Sequence, residues 1–232
     1  MSAQSFHAGA TSGRPLRLRQ ETPVASAPNE DRDQRDARLL ADYRAGRTAA
    51  LSELLEAYQD RLYGVCLRML GDRELARDLA QDAMVKIIQG LDTFDGRAKL
   101  STWMIRVTMN ACLSELRKLR LRKHASLDAP TTRSGTPGSG ESTVVDAVAS
   151  EEPRVHQRVE ESEDRADVSS ALALITPEQR AILILRDMQD LDYKTIGELL
   201  DIPGGTVKSR IFRARVALRE RLEALRSERT AR

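Results

Sequence analysis

The segment "DYKTIGELLDIPGGTVKSRIFRARVALRERL", residues 192–222, predicts a short helix, a sharp turn and a long second helix. The turn lies at residues 201–204, where Asp, Pro and Gly interrupt the helical pattern. A helix is predicted just before it, with Thr176 as its N-cap and Gln179 completing a capping box. The long helix has an apolar stripe that must pack against the preceding helices, formed by Val207, Ile211, Ala214 and Leu218. This spacing is typical of a helix-turn-helix.

The opposite face of the long helix carries a phenylalanine among polar side chains. The outward residues are Ser209, Phe212, Arg213 and Val216, with Lys208, Arg210 and Arg215 on the flanks. Such a face suits the major groove of DNA, because Arg bonds guanine through two hydrogen bonds and Phe contacts a thymine methyl. Flanking cations would reach phosphates, as would the backbone N–H groups near Thr206 at the helix start. The residues favour DNA binding, and a plain amphipathic surface helix is the alternative.

The composition predicts an all-α protein. Aromatic residues make up only 3% of the 232 residues, which favours helices that pack through Leu, Ile, Val and Ala. No apolar run approaches the roughly 20 residues that a membrane span needs. Residues 1–20 contain no apolar core of the secretory kind, so we expect a cytoplasmic protein with no membrane contact.

Breaks in the helical pattern divide the chain into two small helical domains on a tether. We expect a disordered tail over residues 1–34 and a helical domain over residues 35–123. Residues 124–166 are rich in Pro, Gly, Ser and acids, which is typical of a flexible acidic linker. Residues 167–226 are expected to form the second domain, which contains the helix-turn-helix, and residues 227–232 a short tail.

Charge is segregated along the chain although the net charge is only +2. Residues 97–123 hold eight Lys and Arg against one acid, and residues 204–232 hold nine against three. Between them, residues 128–167 hold ten acids and four bases. Two basic blocks separated by an acidic segment indicate two contacts with polyanions, and solvated helix faces are the alternative.

The segment "GDRELARDLAQDAMVKIIQGL", residues 71–91, predicts a helix with an acidic outer face. That face carries Asp78, Gln81, Asp82, Val85 and Gln89. Asp78 and Asp82 are one helical turn apart, but the further oxygen ligands that Mg²⁺ requires are missing from the pattern. Cys66 and Cys112 lie in apolar helical patterns without metal-site spacing, so we expect them in the core. The sequence therefore predicts no metal site and no cofactor.

The next segment, "TFDGRAKLSTWMIRVTMNACL", residues 93–113, predicts a loop followed by a helix that is apolar nearly all round. Its polar exceptions Arg106 and Asn110, with Arg117 further on, lie on one stripe. Because polar groups on a mostly buried helix need partners, we expect this stripe to line a cleft that faces a ligand. With Phe94 from the loop, the cleft would hold an unstacked base by aromatic contact and hydrogen bonds.

Together these motifs resemble a known family. The segment "GDRELARDLAQDAMVKIIQGLDTFDGRAKLSTWMIRVTMNACLSELRK", residues 71–118, is similar to the second conserved region of bacterial sigma factors. Residues 175–222, which begin "ITPEQRAILILRDMQD" where Leu is usual in place of Ile175, resemble the fourth. The third region is missing between them, which points to the extracytoplasmic-function group. The resemblance covers most of residues 36–224, and both motifs in this order are highly specific.

The resemblance implies a promoter-specific initiation factor that makes and breaks no bond itself. It implies that the clamp helices of the largest subunit of core RNA polymerase contact Asp78, Gln81, Asp82 and Val85. It implies that the melted minus-10 element is held as a single strand by Phe94, Arg97, Lys99, Trp103, Arg106 and Asn110. It implies that the duplex minus-35 element is read by Thr206, Lys208, Ser209, Phe212, Arg213 and Arg215. An anti-sigma factor that occludes both domains is a further expectation.

Other functions stay open at this point. The segments "TPEQRAILIL" and "IGELLDIPGGTVKSR" also resemble the DNA-binding domain of quorum-type regulators, so a stand-alone helix-turn-helix regulator is the alternative. A nucleic-acid enzyme would need a carboxylate cluster or a Cys/His metal site, and the sequence shows neither. Ile-Pro-Gly-Gly replaces the commoner Ile-Pro-Val-Gly, so we expect Gly204 to loosen the turn. The tail and the long linker are either regulatory appendages or tolerated disorder.

Overall fold

The computed structural model describes residues 29–128 and 166–230, and the regular elements in these two ranges are all helical. The N-terminal bundle contains α1 (Asn29–Arg44), α2 (Thr48–Leu70), α3 (Arg73–Gly90), a 3-10 turn (Leu91–Thr93) and α4 (Leu100–Asp128). The C-terminal bundle contains α5 (residues 166–174), α6 (Pro177–Leu183) with a π-helical continuation (Ile184–Met188), α7 (Tyr193–Leu200) and α8 (Gly204–Thr230). The predicted all-α class with two helical domains is confirmed.

Helix α2 is the centre of the N-terminal bundle. It packs against α1, α3 and α4, and its inward side chains are almost fully buried: Leu54, Tyr58, Leu62, Val65, Cys66 and Met69. Cys66 faces Cys112 of α4 with their Sγ atoms 3.7 Å apart, so both cysteines lie in the core as expected. Helix α3 follows its N-cap Asp72, whose side chain accepts a hydrogen bond from the Leu75 N–H and so fixes where the helix begins.

Helix α1 begins at Asn29, six residues before the predicted domain boundary at residue 35. It is held to α2 by the Tyr58 hydroxyl, which donates a hydrogen bond to the buried carboxyl of Asp36. Burial raises the pKa of Asp36, and the hydrogen bond from Tyr58 partly opposes that rise. The part of the predicted tail before Asn29 and most of the predicted linker lie outside the described residues.

The C-terminal bundle has the predicted helix-turn-helix. Thr176 and Gln179 form the expected capping box at the start of α6, with Pro177 at the first helical position. The apolar stripe predicted for α8 is buried against α6 and α7: Val207, Ile211, Ala214 and Leu218. The helical periodicity of the sequence therefore predicted correctly which side of α8 is buried.

The turn between α7 and α8 is set by Gly197 and Asp201. Asp201 ends α7 in the left-handed region with φ 53°, and the Ile202 N–H donates to the Gly197 carbonyl at 2.9 Å. A Cβ on Gly197 would lie 2.9 Å from the Ile202 oxygen, so a side chain there would force the turn open. At Gly204 a Cβ would meet nothing within 4 Å, and its φ is not positive. The close approach at Gly197, and not Gly204, sets this turn.

Arg180 joins the two bundles. Its guanidinium is buried, and it donates to the Met69 carbonyl at the end of α2. It also donates to the carbonyls of Ala173 and Ile175, at 2.9 and 3.3 Å, where α5 ends. Carbonyls at helix ends have no partner within their own helix. One cation therefore satisfies acceptors from both bundles.

Replacing Arg180 with Ala is expected to lower the free energy of unfolding by roughly 2–4 kcal/mol, because it leaves buried carbonyls without donors. The measurement is urea unfolding followed by far-UV circular dichroism. The exposed Arg219→Ala variant is the matched control and should unfold as the wild type does. Equal midpoints for Arg180→Ala and the wild type would show that this guanidinium does not stabilise the structure.

Candidate nucleic-acid interface

The outer face of α8 presents an aromatic residue and a cation to solvent. We call the set Lys208, Ser209, Phe212 and Arg213 the α8 face, and all four side chains are exposed. Phe212 is 69% exposed, which is unusual for an aromatic side chain on a helix whose opposite side is fully packed. Arg213 makes no ion pair with any residue in the described parts of the chain. The structure thus leaves an apolar ring and a cation side by side and uncovered.

Hydrogen bonds to nearby backbone carbonyls order the first residues of α8. The Thr206 N–H donates to the Pro203 carbonyl at 2.8 Å, and the Ser209 hydroxyl donates to the Thr206 carbonyl at 2.9 Å. Thr206 is half-buried, so it is less open to a ligand than Lys208 or Ser209.

Arg215 is paired within the protein, whereas Arg213, two residues before it on α8, is not paired with any of the described residues. Its guanidinium pairs with the carboxylate of Asp187 in the π-helical segment, with a second contact from Nε to Oδ2 at 3.3 Å. This two-point pairing raises the pKa of Arg215. The side chain predicted to contact DNA is therefore already engaged within the protein.

The outer face of α3 is acidic and open. We call Asp78, Gln81, Asp82 and Val85 the α3 face; the structure places all four on the solvent side, while Ala76, Ala80 and Ala83 are buried beneath them. Val85 is 46% exposed at the edge of this face. The described residues contain no group of His, Cys, Asp and Glu side chains able to hold a metal ion.

Loop 94–99 lies between the 3-10 turn and α4, and it brings two aromatic rings together. The rings of Phe94 and Trp103 are 5.3 Å apart between centroids and inclined at 48°. Both residues are half-buried, so part of each ring remains open. Trp103 packs closely on Gly90, where a Cβ would lie only 2.8 Å from the indole ring. A glycine at the end of α3 therefore permits this aromatic pair.

The cations of loop 94–99 are paired locally or with α1. Arg97 is 3.0 Å from Asp95 between Nε and Oδ2, and Gly96 between them has φ 75°. Lys99 is 2.6 Å from the carboxylate of Asp33 in α1. The Arg44 guanidinium, also from α1, donates to the carbonyls of Leu91 and Phe94. Sequence reasoning missed Asp33 and Arg44, since Asp33 fell in the predicted tail and Arg44 has only backbone partners on the loop side.

The polar stripe on α4 is divided in the structure. Asn110 is exposed, but the Arg106 guanidinium donates to the Glu198 carbonyl of α7 at 2.8 Å. Arg117 bonds the Leu113 carbonyl of its own helix at 3.2 Å. The structure therefore brings Phe94 and Trp103 together, leaves Asn110 open and occupies Arg106 with the C-terminal bundle.

Family comparisons agree with these two bundles. Residues 54–122 match Sigma-70 region 2, and residues 165–218 match Sigma-70, region 4. The ECF RNA polymerase sigma factor SigW of Bacillus subtilis is 31% identical over 186 residues, covering 80% of this chain and 96% of SigW. The chain belongs to the extracytoplasmic-function (ECF) group of sigma factors. This ECF sigma factor directs transcription initiation, and the resemblance found in its sequence is confirmed.

Solved structures share the fold of this sigma factor. The sigma factor RpoE in complex with the anti-sigma factor NepR from Bartonella quintana matches with a TM-score of 0.53 and 22% identity, over 74% of this chain and 96% of that one. CnrH in complex with the cytosolic domain of CnrY matches with a TM-score of 0.55 and 20% identity, over 82% and 98%. None of the helices in residues 29–128 or 166–230 is long and apolar enough to cross a membrane.

Proposed function

We propose that this sigma factor selects promoters at two places, reading a duplex minus-35 element with α8 and holding a melted minus-10 element beside loop 94–99. The observation that carries the proposal is the presence, on one chain, of two differently built surfaces. The α8 face sets an exposed ring and an unpaired cation on a rigid helix, whereas loop 94–99 sets a half-open aromatic pair beside basic residues. The first arrangement suits base edges in a groove, and the second suits an unstacked base.

The minus-35 reading is carried by Arg213 and Phe212. An arginine without a protein partner keeps its planar donors available for guanine, and an exposed ring next to it can contact a thymine methyl. Lys208 would contact a phosphate and so set the register without reading sequence. Arg215 contributes less than its position suggests, because a phosphate would have to replace Asp187.

The minus-10 reading is carried by Phe94, Trp103 and Asn110. The two rings offer a stacking surface, and the exposed Asn110 amide offers hydrogen bonds to a base edge. Arg97 and Lys99 would guide the strand by its phosphates. Arg106 takes part only after its guanidinium leaves the Glu198 carbonyl.

Core RNA polymerase is the proposed partner of the α3 face. Its acidic residues lack partners among the described residues, and Val85 adds an apolar edge, a combination suited to a basic helical surface such as the clamp helices. An anti-sigma factor is the proposed second partner. The complexes of RpoE with NepR and of CnrH with CnrY support this, since both share the fold.

The proposed function is tested by run-off transcription with purified bacterial core polymerase on a pool of random upstream sequences. We expect initiation only with the sigma factor present, at templates that share two short motifs about one and a half to two helical turns apart. If the core polymerase stays inactive while the protein alone shifts duplex DNA, the chain acts as a stand-alone regulator and the proposal fails.

Replacing Arg213 with Ala should weaken recognition of the minus-35 element by about 1–3 kcal/mol and relax base preference at one position, because a bidentate base contact is lost. The measurement is promoter preference in transcription from the selected templates. Arg215→Ala is the matched neighbour and should change preference much less, since its guanidinium is held by Asp187. An unchanged preference for Arg213→Ala would exclude this residue from base reading.

Replacing Asp82 with Ala should raise the dissociation constant for core polymerase several-fold, because a charge at the centre of the α3 face is lost. Helical content should not change, since the side chain is exposed and makes no hydrogen bond or ion pair within the described residues. The measurement is binding of labelled sigma factor to core polymerase, with the exposed Glu56→Ala variant on α2, away from the α3 face, as control. Equal affinity for the Asp82 variant and the wild type would refute the assignment of this face.

A further inference from the structure

Helix α1 forms one wall of a groove whose other wall is loop 94–99. The groove is open to solvent and has a volume of about 660 Å³; Phe94 lines it, whereas Trp103 and Asn110 do not. Its lining includes Asp33, Leu40 and Arg44 from α1, and Phe94 and Lys99 from the loop side. The position of α1 therefore determines how wide this space is.

Arg44 ties the start of the loop to the end of α1. Its Nη2 atom donates to the Phe94 carbonyl at 2.6 Å and to the Leu91 carbonyl at 3.2 Å. These carbonyls flank the 3-10 turn, so the guanidinium fixes the backbone that carries the Phe94 ring. A charged donor to a carbonyl gives a stronger bond than a neutral one. Phe94 is thus held by the hydrogen bond to its backbone carbonyl as well as by the contact of its ring with Trp103.

Asp33 ties the other end of the loop to the start of α1. Its carboxylate lies 2.6 Å from the Lys99 ammonium, just before α4 begins. Asp33 and Arg44 are about three helical turns apart, so they lie on the same side of α1, roughly 16 Å from each other along its axis. The loop is therefore attached to one rigid helix at both ends.

The remaining bonds of the loop are local. The Arg97 N–H donates to the Asp95 carboxylate at 3.0 Å, and Gly96 turns the chain at φ 75°. These contacts shape the loop tip, while the ring contact of Phe94 with Trp103 joins the start of the loop to α4. The further ties run to α1, which is itself fixed to α2 by the bond between Asp36 and Tyr58. Asp33 and Arg44 lie outside residues 54–122 that match Sigma-70 region 2, whereas their partners on the loop side lie inside that range.

We propose that Arg44 and Asp33 are positioning residues, which hold loop 94–99 against α1, keep the Phe94 ring in place beside Trp103 and so determine which base of the melted strand is accepted. This inference rests on the proposed minus-10 function of the loop. A site that selects among bases must keep its groups in place within about half an ångström. A loop released from α1 would let the Phe94 ring shift against Trp103 and so accept several bases in place of one. The pair with Asp33 also restrains the Lys99 ammonium, which limits indiscriminate attraction of the strand.

The test compares variants on the templates that the wild type selects and on single-base changes in each element. For Arg44→Ala and Asp33→Asn, we expect the ratio of transcription between the best and the changed minus-10 element to fall about tenfold and about threefold, respectively. Discrimination at the minus-35 element should not change, which separates positioning from general loss of structure. Arg44→Lys keeps the charge and should restore part of the lost discrimination. Arg38→Ala, an exposed change on the same helix, is the control and should behave as the wild type.

The outcomes separate the two proposals. If Arg44→Ala and Asp33→Asn both retain full minus-10 discrimination, α1 has no positioning role, while the minus-10 function of the loop stands. If the wild type itself shows no minus-10 discrimination, the proposed minus-10 function fails, and this inference fails with it. Because the Asp33–Lys99 pair is partly exposed, Asp33→Asn is expected to fold even if Arg44→Ala does not. Equal loss at both promoter elements would also overturn the positioning role.

Discussion

The burial of α2 is the constraint on which the rest of the structure depends. Three helices of the N-terminal bundle pack against it, and its last turn provides the Met69 carbonyl that Arg180 of the C-terminal bundle binds. The Tyr58 hydroxyl of α2 donates a hydrogen bond to Asp36 of α1, and Arg44 of α1 in turn bonds the Phe94 carbonyl at the start of loop 94–99. Displacement of this helix would therefore move the α3 face, the loop and the contact between the bundles together.

Two of the proposed binding surfaces, the α3 face and the α8 face, are the outer sides of helices whose inner sides are closely packed. Beneath the α3 face, Ala76 and Ala83 are fully buried, and small side chains there let α3 approach its neighbours closely. Beneath the α8 face, Val207 and Ala214 are fully buried. Close packing on one side fixes both the position and the rotation of a helix. The backbone that carries the outer side chains therefore needs no further ordering when it meets a macromolecule.

The arginines of this chain have different roles that their position on a helix does not reveal. Arg180 stabilises the contact between bundles, Arg106 bonds α7, and Arg215 pairs with Asp187. Arg213 is exposed and has no ion-pair partner in the parts of the chain that the structure describes. The difference follows from which acceptor lies within reach, and a guanidinium that already has acceptors is less available to DNA.

The sequence by itself determined the all-α class, the capping box at Thr176, the buried stripe of α8 and the outward placement of Phe212 and Asp82. These features depend on periodicity and on neighbours within one or two turns, which a sequence displays directly. Only the tertiary structure decided the partners of Arg44 and Arg180. The carbonyls that Arg44 binds lie 47 and 50 residues away in the sequence, and the Met69 carbonyl that Arg180 binds lies 111 residues away. Those partners are backbone carbonyls, which every residue has, so no sequence pattern marks them. For the same reason the sequence did not show that α1, assigned in part to a disordered tail, lies beside loop 94–99 in the folded chain and forms a groove with it.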